Sequence, residues 1–187
     1  SKDRTVEKIH DFSKTSQVPI RLVRLSRNFG HQNAVLAGLK IAEDWAEADG
    51  IEFVGLIDAD LQDRPEDFIK LWEKNSTADV VYAVRASRKE AFHVRLLSQA
   101  FHKLIAWASK VQIPRDAGTF SLIRTNVVRI IVANGDKDPY FPGLRAWAGF
   151  RQVPVFADRD ARFAGTSRVG FMGLSRLALP AIFSYSD

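Results

Sequence analysis

The stretch Phe53-Val54-Gly55-Leu56-Ile57-Asp58-Ala59-Asp60-Leu61-Gln62-Asp63-Arg64-Pro65 decides the fold. Its first five residues, FVGLI, form an uninterrupted apolar run, as expected of a strand buried on both faces. The run breaks into two carboxylates, Asp58 and Asp60, at alternate positions. Pro65 then suits the first turn of a helix that reaches about Lys74. A buried strand, a charged break and a helix make the first half of a strand–helix–strand unit.

The same alternation continues on both sides. Downstream, Asp79 to Val84 (DVVYAV) predicts a strand, residues 91–110 a long helix, and Gly118 to Ile123 (GTFSLI) a strand. Residues 125–133 follow as a helix, 140–148 as a short helix and Phe150 to Phe156 as a strand. Residues 157–168 read as a polar loop, and 170–184 as an amphipathic segment. Upstream, residues 3–15 predict a helix. Ile20 to Leu25 (IRLVRL) alternates apolar and basic residues as a strand does. Residues 31–48 predict a helix with Val35, Leu36, Leu39 and Trp45 on roughly one face. Alternating strands and helices imply right-handed crossovers and a mostly parallel sheet with flanking helices, an α/β fold in one domain over residues 1–187. Ligands of such sheets bind outside the carboxyl ends of the strands. That places the site after Ile57, Val84 and Ile123.

Composition narrows the class. The chain has 187 residues, 46% hydrophobic and 26% charged, enough for one domain with a real core. It has no cysteine, which excludes disulfides and thiolate metal sites. No apolar run reaches the ~18–20 residues of a spanning helix. The N-terminus has no signal-peptide pattern. Met172 is the only methionine, as expected of a processed form, an excised domain or a fragment. Residues 1–80 carry 11 basic and 15 acidic side chains; residues 81–187 carry 16 and 7. The basic half suits phosphates, anionic lipid or nucleic acid, or is simply a solvated surface. Nucleic acid is the weakest of these partners, because the strongest acidic cluster stands where the sheet presents its ligand site.

Carboxylates at i and i+2 after a strand can point the same way, and they repel unless a cation intervenes. Mg²⁺ and Mn²⁺ take hard oxygen ligands, and Mg²⁺ uses one or two carboxylates plus substrate phosphates. Asp58 and Asp60 are therefore candidate metal ligands, with Mg²⁺ or Mn²⁺ as the cofactor. The alternative is that these acids serve the helix near Pro65, with Asp63 as its cap. Arg85, Arg88 and Arg95 bracket the end of one strand and the start of a helix, where guanidinium forks can grip phosphate oxygens. Arg88 and Lys89 read equally as surface charges. Asn28 can cap the helix after Gly30. His31 beside it is a weak catalytic candidate, and His10, His93 and His102 have no ligand-like grouping. Trp45, Trp72, Trp107 and Trp147 read as core or half-buried residues, the last two alternatively as bilayer-interface residues.

Five blocks, read together, resemble one family. Leu25-Ser26-Arg27-Asn28-Phe29-Gly30-His31-Gln32 resembles the LSRNFG segment of family-2 glycosyltransferases of the dolichol-phosphate mannosyltransferase-like and bactoprenol glucosyltransferase-like kinds. Asp58 to Asp63 resembles their DADLQD motif, with Pro65 and Glu66 following. Val80 to Arg85 resembles VVYGxR. Arg115-Asp116-Ala117-Gly118-Thr119-Phe120 resembles RDAGDF. Arg162-Phe163-Ala164-Gly165-Thr166-Ser167-Arg168 resembles RxxGxSK. The blocks occur in family order over about residues 1–180.

The resemblance implies a GT-A, Rossmann-like fold. It implies inverting, metal-dependent transfer of a sugar from a UDP- or GDP-sugar to a polyprenyl phosphate at the cytoplasmic face of a membrane. It carries metal binding to Asp58 and Asp60, with Gln62 near the site. It carries acceptor-phosphate binding to Arg85, Arg95 and Ser98, and donor-diphosphate contacts to Arg162, Ser167 and Arg168. Asp116 is expected to orient an arginine, to act near the acceptor, or to be structural. Residues 169–187 (Gly170 to Ser184 above all) are expected to form a membrane-interface element or a helix packed on the domain. A homo-oligomer is compatible with this scheme. Arg168 stands where Lys is usual, Thr119 where an acid is frequent and Ser121 where Arg is frequent. Ser1 to Thr5 resembles the tail of DDGSxDxT, so the fold is expected to be N-terminally incomplete, without the first strand and the base-binding motif. The alternative function is a non-catalytic nucleotide-sugar or lipid-phosphate binder.

Overall fold

The computed structural model describes residues 3–85, 117–135 and 139–157. In chain order they form α1 (Thr5–Thr15), α2 (His31–Asp49), β1 (Phe53–Leu56) and α3 (Phe68–Trp72). Then come β2 (Val80–Arg85), β3 (Ala117–Arg124), α4 (Thr125–Ala133), α5 (Phe141–Trp147) and β4 (Gln152–Ala157). The four strands make one sheet in the order β1-β3-β2-β4. β3 runs antiparallel to β1 and to β2, and β2 runs parallel to β4. β1, β2 and β4 therefore share one direction, and their carboxyl ends lie along one edge together with the start of β3.

Alternation along β2 builds a core on each face of the sheet. Val80 and Tyr82 face α2, α4 and α5, where Leu39, Ile123, Val127, Val128, Ile131, Phe141 and Leu144 complete a buried cluster. Val81 and Ala83 face α3, where Leu71, Phe120 and Leu122 complete the second. Each such side chain stabilises the fold by about 1.5–3 kcal/mol when fully buried. At Gly55 the Phe68 ring of α3 lies directly against β1. A Cβ there would stand 2.8 Å from the Phe68 ring. That ring in turn packs edge-on against Phe120 at 4.7 Å. Beside it, Gly55, Phe68, Ile69, Trp72 and Leu122 line an apolar hollow of about 420 Å³ that offers little to a charged ligand.

Polar stitching concentrates at the amino ends of the parallel strands. Arg124 pairs with Glu52, reaches Asp79 at 3.4 Å and stacks on Phe53 at 4.5 Å. Asp79 and Arg151 exchange hydrogen bonds of 2.9 and 3.2 Å. This end is tied by ion pairs, whereas the carboxyl edge carries the candidate site.

Several expectations need correction. Ile20 to Leu25 forms no strand; Leu22, Val23 and Leu25 are exposed. Alternation supplies two faces but no ladder partner, and none of the described strands pairs with this segment. Arg21 stacks instead on Trp45, 4.3 Å from its ring. The buried stripe of α2 is Val35, Leu39, Glu43 and Ala46, spaced at helical period, so Trp45 falls off it. The helix expected from Pro65 to Lys74 is a 3-10 turn, Pro65–Asp67, followed by a single α segment that ends at Trp72. Its N-cap is Arg64, without a side-chain cap, so Asp63 is not that cap. Because β3 is antiparallel, the chain after Ile123 lies at the edge opposite the ligand edge. The start of β3 near Ala117 takes that place. α1 carries Val6, Ile9 and Phe12 on one side, yet none of its residues is buried. The helix expected over 91–110 and the segment 169–187 lie outside the described residues. No described helix is long and apolar enough to cross a membrane.

Candidate functional site

The rim of the site is assembled from segments distant in sequence. β1 ends at Leu56, and the chain passes through Ile57 to Asp58, whose side chain is 21% exposed. The N-terminus of α2 meets it there: His31 Nε2 lies 3.6 Å from Asp58 Oδ1. α2 begins abruptly because Gly30 adopts φ 88°, a conformation that disfavours residues with a Cβ. The Asn28 side-chain oxygen accepts the Gly30 N–H at 2.8 Å, forming a turn ahead of the helix rather than the expected cap. One residue further, Gln32 Oε1 accepts the Phe141 N–H at 2.8 Å. The starts of α2 and α5 are thereby joined at the carboxyl edge of the sheet.

The loop after Asp58 holds an unusual backbone. Asp60 Oδ1 accepts the Gln62 N–H at 3.1 Å, closing a tight turn. Within it Leu61 has φ 60°, and its side chain is 68% exposed. A left-handed conformation costs a non-glycine residue about 1–2 kcal/mol. An exposed leucine in that state makes no packing gain that explains it. Strain of this kind clusters at ligand sites, and here it sits between two of the candidate residues. Asp67, just beyond, is a structural acid: it is buried and bound to Lys70 at 2.6 Å.

The donor set suits an oxygen-seeking cation that arrives with phosphates. Asp58 and Asp60 supply two carboxylates on one short loop, and Gln62 follows in the same turn. Among the described residues, no group of three or more His, Cys, Asp or Glu side chains closes around a metal position. Two carboxylates completed by substrate phosphate oxygens is the arrangement that Mg²⁺ commonly takes.

A buried cation underlies this edge. Arg145, on α5, is 0% exposed. Its guanidinium stacks on Tyr82 at 4.2 Å, and Nη1 donates to the Gly118 carbonyl at 3.2 Å. Among the described residues, Nε and Nη2 meet no acceptor. Burial pushes its pKa down to about 10, against the raising influence of Tyr82 and Tyr140. Burial also raises the Tyr140 and Tyr82 phenols, with Arg145 opposing in both cases.

Of the residues expected from sequence, Asp58, Asp60 and Gln62 lie together after β1. Arg85 ends β2 at the same edge of the sheet by its backbone position. Arg95, Ser98, Asp116, Arg162, Ser167 and Arg168 lie outside the described residues. Sequence reading gave no site role to Gln32 or Leu61 and passed over Arg145. The one signal for Arg145 was a lone charge inside the otherwise apolar FPGLRAW.

The family model described as "Glycosyl transferase family 2" matches residues 1–132. A Bacillus subtilis protein named "Uncharacterized glycosyltransferase YkcC" is 35% identical over the whole chain, which spans 56% of that relative. A Synechocystis protein, "Uncharacterized glycosyltransferase sll0501", is 36% identical over all of this chain and 57% of its own length. The "Bactoprenol glucosyl transferase" of Shigella phage SfV is 32% identical, again over the whole chain and 59% of the relative. This chain thus spans little more than half the length of the curated relatives it matches. Its α/β architecture, with three co-directional strands and acids after β1, a half-buried strand at the sheet edge rather than the strand buried on both faces expected from FVGLI, is consistent with a GT-A-like fold. The chain belongs to glycosyl transferase family 2, a family of sugar-transferring enzymes.

Proposed function

We propose that this chain carries the catalytic centre of an inverting glycosyltransferase that moves a sugar from a UDP- or GDP-sugar to a polyprenyl phosphate. The observation that carries the reading is the Asp58–Gln62 loop at the carboxyl edge, in a chain similar to proteins named as bactoprenol glucosyl transferases. The working location is the cytoplasmic face of a membrane, where a lipid phosphate and a soluble donor can meet.

An acceptor phosphate is already anionic at neutral pH, so its oxygen needs little help from a general base. It attacks the anomeric carbon, the bond from that carbon to the donor diphosphate breaks, and the nucleoside diphosphate leaves. The task of the protein is to hold two anions in line and to offset charge on the leaving group. Asp58 and Asp60 would hold Mg²⁺ or Mn²⁺, with Gln62 beside them; bound there, the ion supplies Lewis-acid stabilisation of the diphosphate. His31 braces the Asp58 carboxylate from the α2 side. Arg85, with Arg95 and Ser98, is assigned to the acceptor phosphate, and Arg162, Ser167 and Arg168 to the donor diphosphate. Asp116 is assigned to the acceptor side.

The test uses membranes that contain the protein bearing this chain, radiolabelled UDP- and GDP-sugars, and added undecaprenyl phosphate. The expected product is label in the organic extract, requiring a divalent cation and lost in Asp60→Ala. Label that never enters lipid with any donor would overturn the reading, as would full turnover by Asp60→Ala.

A further inference from the structure

Arg145 is the one fully buried charged side chain among the described residues of the core. With its pKa pushed down to about 10, it is still a cation at neutral pH. Its described polar contact is a neutral carbonyl, that of Gly118, and among the described residues two of its nitrogens have no acceptor. A buried charge without a counter-charge is expensive, and replacing such groups by apolar side chains often stabilises a protein. A cost of that kind is commonly tolerated where function requires the group.

The position of the charge indicates what it serves. Gly118 is the second residue of β3, and Ala117 pairs with Val84 near the end of β2. Tyr82, under the guanidinium, is three residues from Arg85 on the same strand. The Gln32 bond to Phe141 brings the start of α2 against the helix that carries Arg145. The cation therefore lies beneath the edge where β1 runs on to Asp58 and Asp60 and where β2 ends.

Resting on the phosphate-handling function proposed above, we propose that Arg145 is a positioning residue whose buried charge, without a carboxylate partner among the described residues, holds a substrate phosphoryl group at the carboxyl end of β2. It acts through its field and through the Gly118 carbonyl, without touching the ligand. The ligand chemistry is a phosphoryl anion, which either the donor diphosphate or the lipid monophosphate can supply. One unit charge about 10 Å from another, at an effective dielectric of about 20, changes an affinity on the order of tenfold.

The experiment compares Arg145→Met and Arg145→Lys with the native protein. Melting temperature is read alongside calorimetric affinity for UDP, for GDP and for a short-chain prenyl monophosphate in Mg²⁺ buffer. Arg145→Met is expected to melt at or above the native temperature and to bind at least one ligand on the order of tenfold more weakly. Arg145→Lys is expected to recover part of that affinity. Loss confined to the nucleotides assigns the charge to the donor, and loss confined to the prenyl phosphate assigns it to the acceptor. A lower melting temperature for Arg145→Met would mean that the charge is paired within the protein, and overturns the proposal. So do native affinities for every ligand, which leave the broader functional reading standing. If the native protein binds none of the ligands, both readings fall.

Discussion

Replacing Gln32 by leucine tests how the site edge is held together. Gln32 Oε1 accepts the Phe141 N–H at 2.8 Å, and Phe141 is 0% exposed. That N–H opens α5, whose N-cap Tyr140 makes no side-chain cap bond, so α2 supplies the cap from a distant part of the chain. Leucine keeps much of the volume and removes the acceptor. A buried donor left unsatisfied costs about 1–3 kcal/mol. For a domain of this size each kcal/mol shifts the melting temperature by roughly 2–4 °C, so the variant should melt about 2–12 °C lower. Gln32→Glu is the control. It keeps an acceptor and adds negative charge at a helix start, worth about 0.3–1 kcal/mol in favourable cases. It should melt near the native temperature. Thermal melts followed by circular dichroism, with urea titrations to convert the shift to free energy, read both variants. A Gln32→Leu protein melting within a degree of native would refute the reasoning, and so would a Gln32→Glu protein that falls as far as the leucine variant.

Three further outcomes are expected. Gly55→Val should lose about 1–3 kcal/mol in a urea titration, because the new side chain drives into the Phe68 ring and the ring must leave its place against Phe120. Leu61→Asn should hold or raise the melting temperature, since asparagine tolerates the left-handed backbone at φ 60°; a clear drop would show that the leucine side chain is needed there. The pH dependence of Arg145 has a definite sign. Its folded pKa, about 10, lies below its unfolded value, so above about pH 10 the unfolded chain binds the extra proton and stability from this group rises with pH. The penalty is present in full below about 10, and the melting-temperature gap between native protein and Arg145→Met should narrow in melts run above that pH.

Local chemistry made most elements legible. Apolar runs such as FVGLI and DVVYAV, and the helical period over 125–133, needed no tertiary information to be recognised. The failures share a cause. Ile20 to Leu25 has the alternation of a strand, but a strand exists only with a partner, and pairing is not written in the segment itself. The direction of β3 was equally invisible, because GTFSLI reads the same in either orientation; that moved the ligand edge from Ile123 to the start of the strand. In the site, Asp58, Asp60 and Gln62 were legible because their spacing is local. Gln32 and Arg145 act across 109 and 27 residues, and only the folded chain brings them to Phe141 and Gly118. Leu61 looked ordinary because its strain lies in the backbone.

The most direct measurement is joint binding of Mn²⁺ and a nucleoside diphosphate, followed by the electron paramagnetic resonance of free Mn²⁺ in native protein, Asp58→Asn and Asp60→Asn. The native protein should take up Mn²⁺ more tightly when UDP or GDP is present than when it is absent, and each asparagine variant should lose most of that gain while melting normally. Mn²⁺ uptake that is the same in all three proteins, with or without nucleotide, would contradict the assignment of these two aspartates.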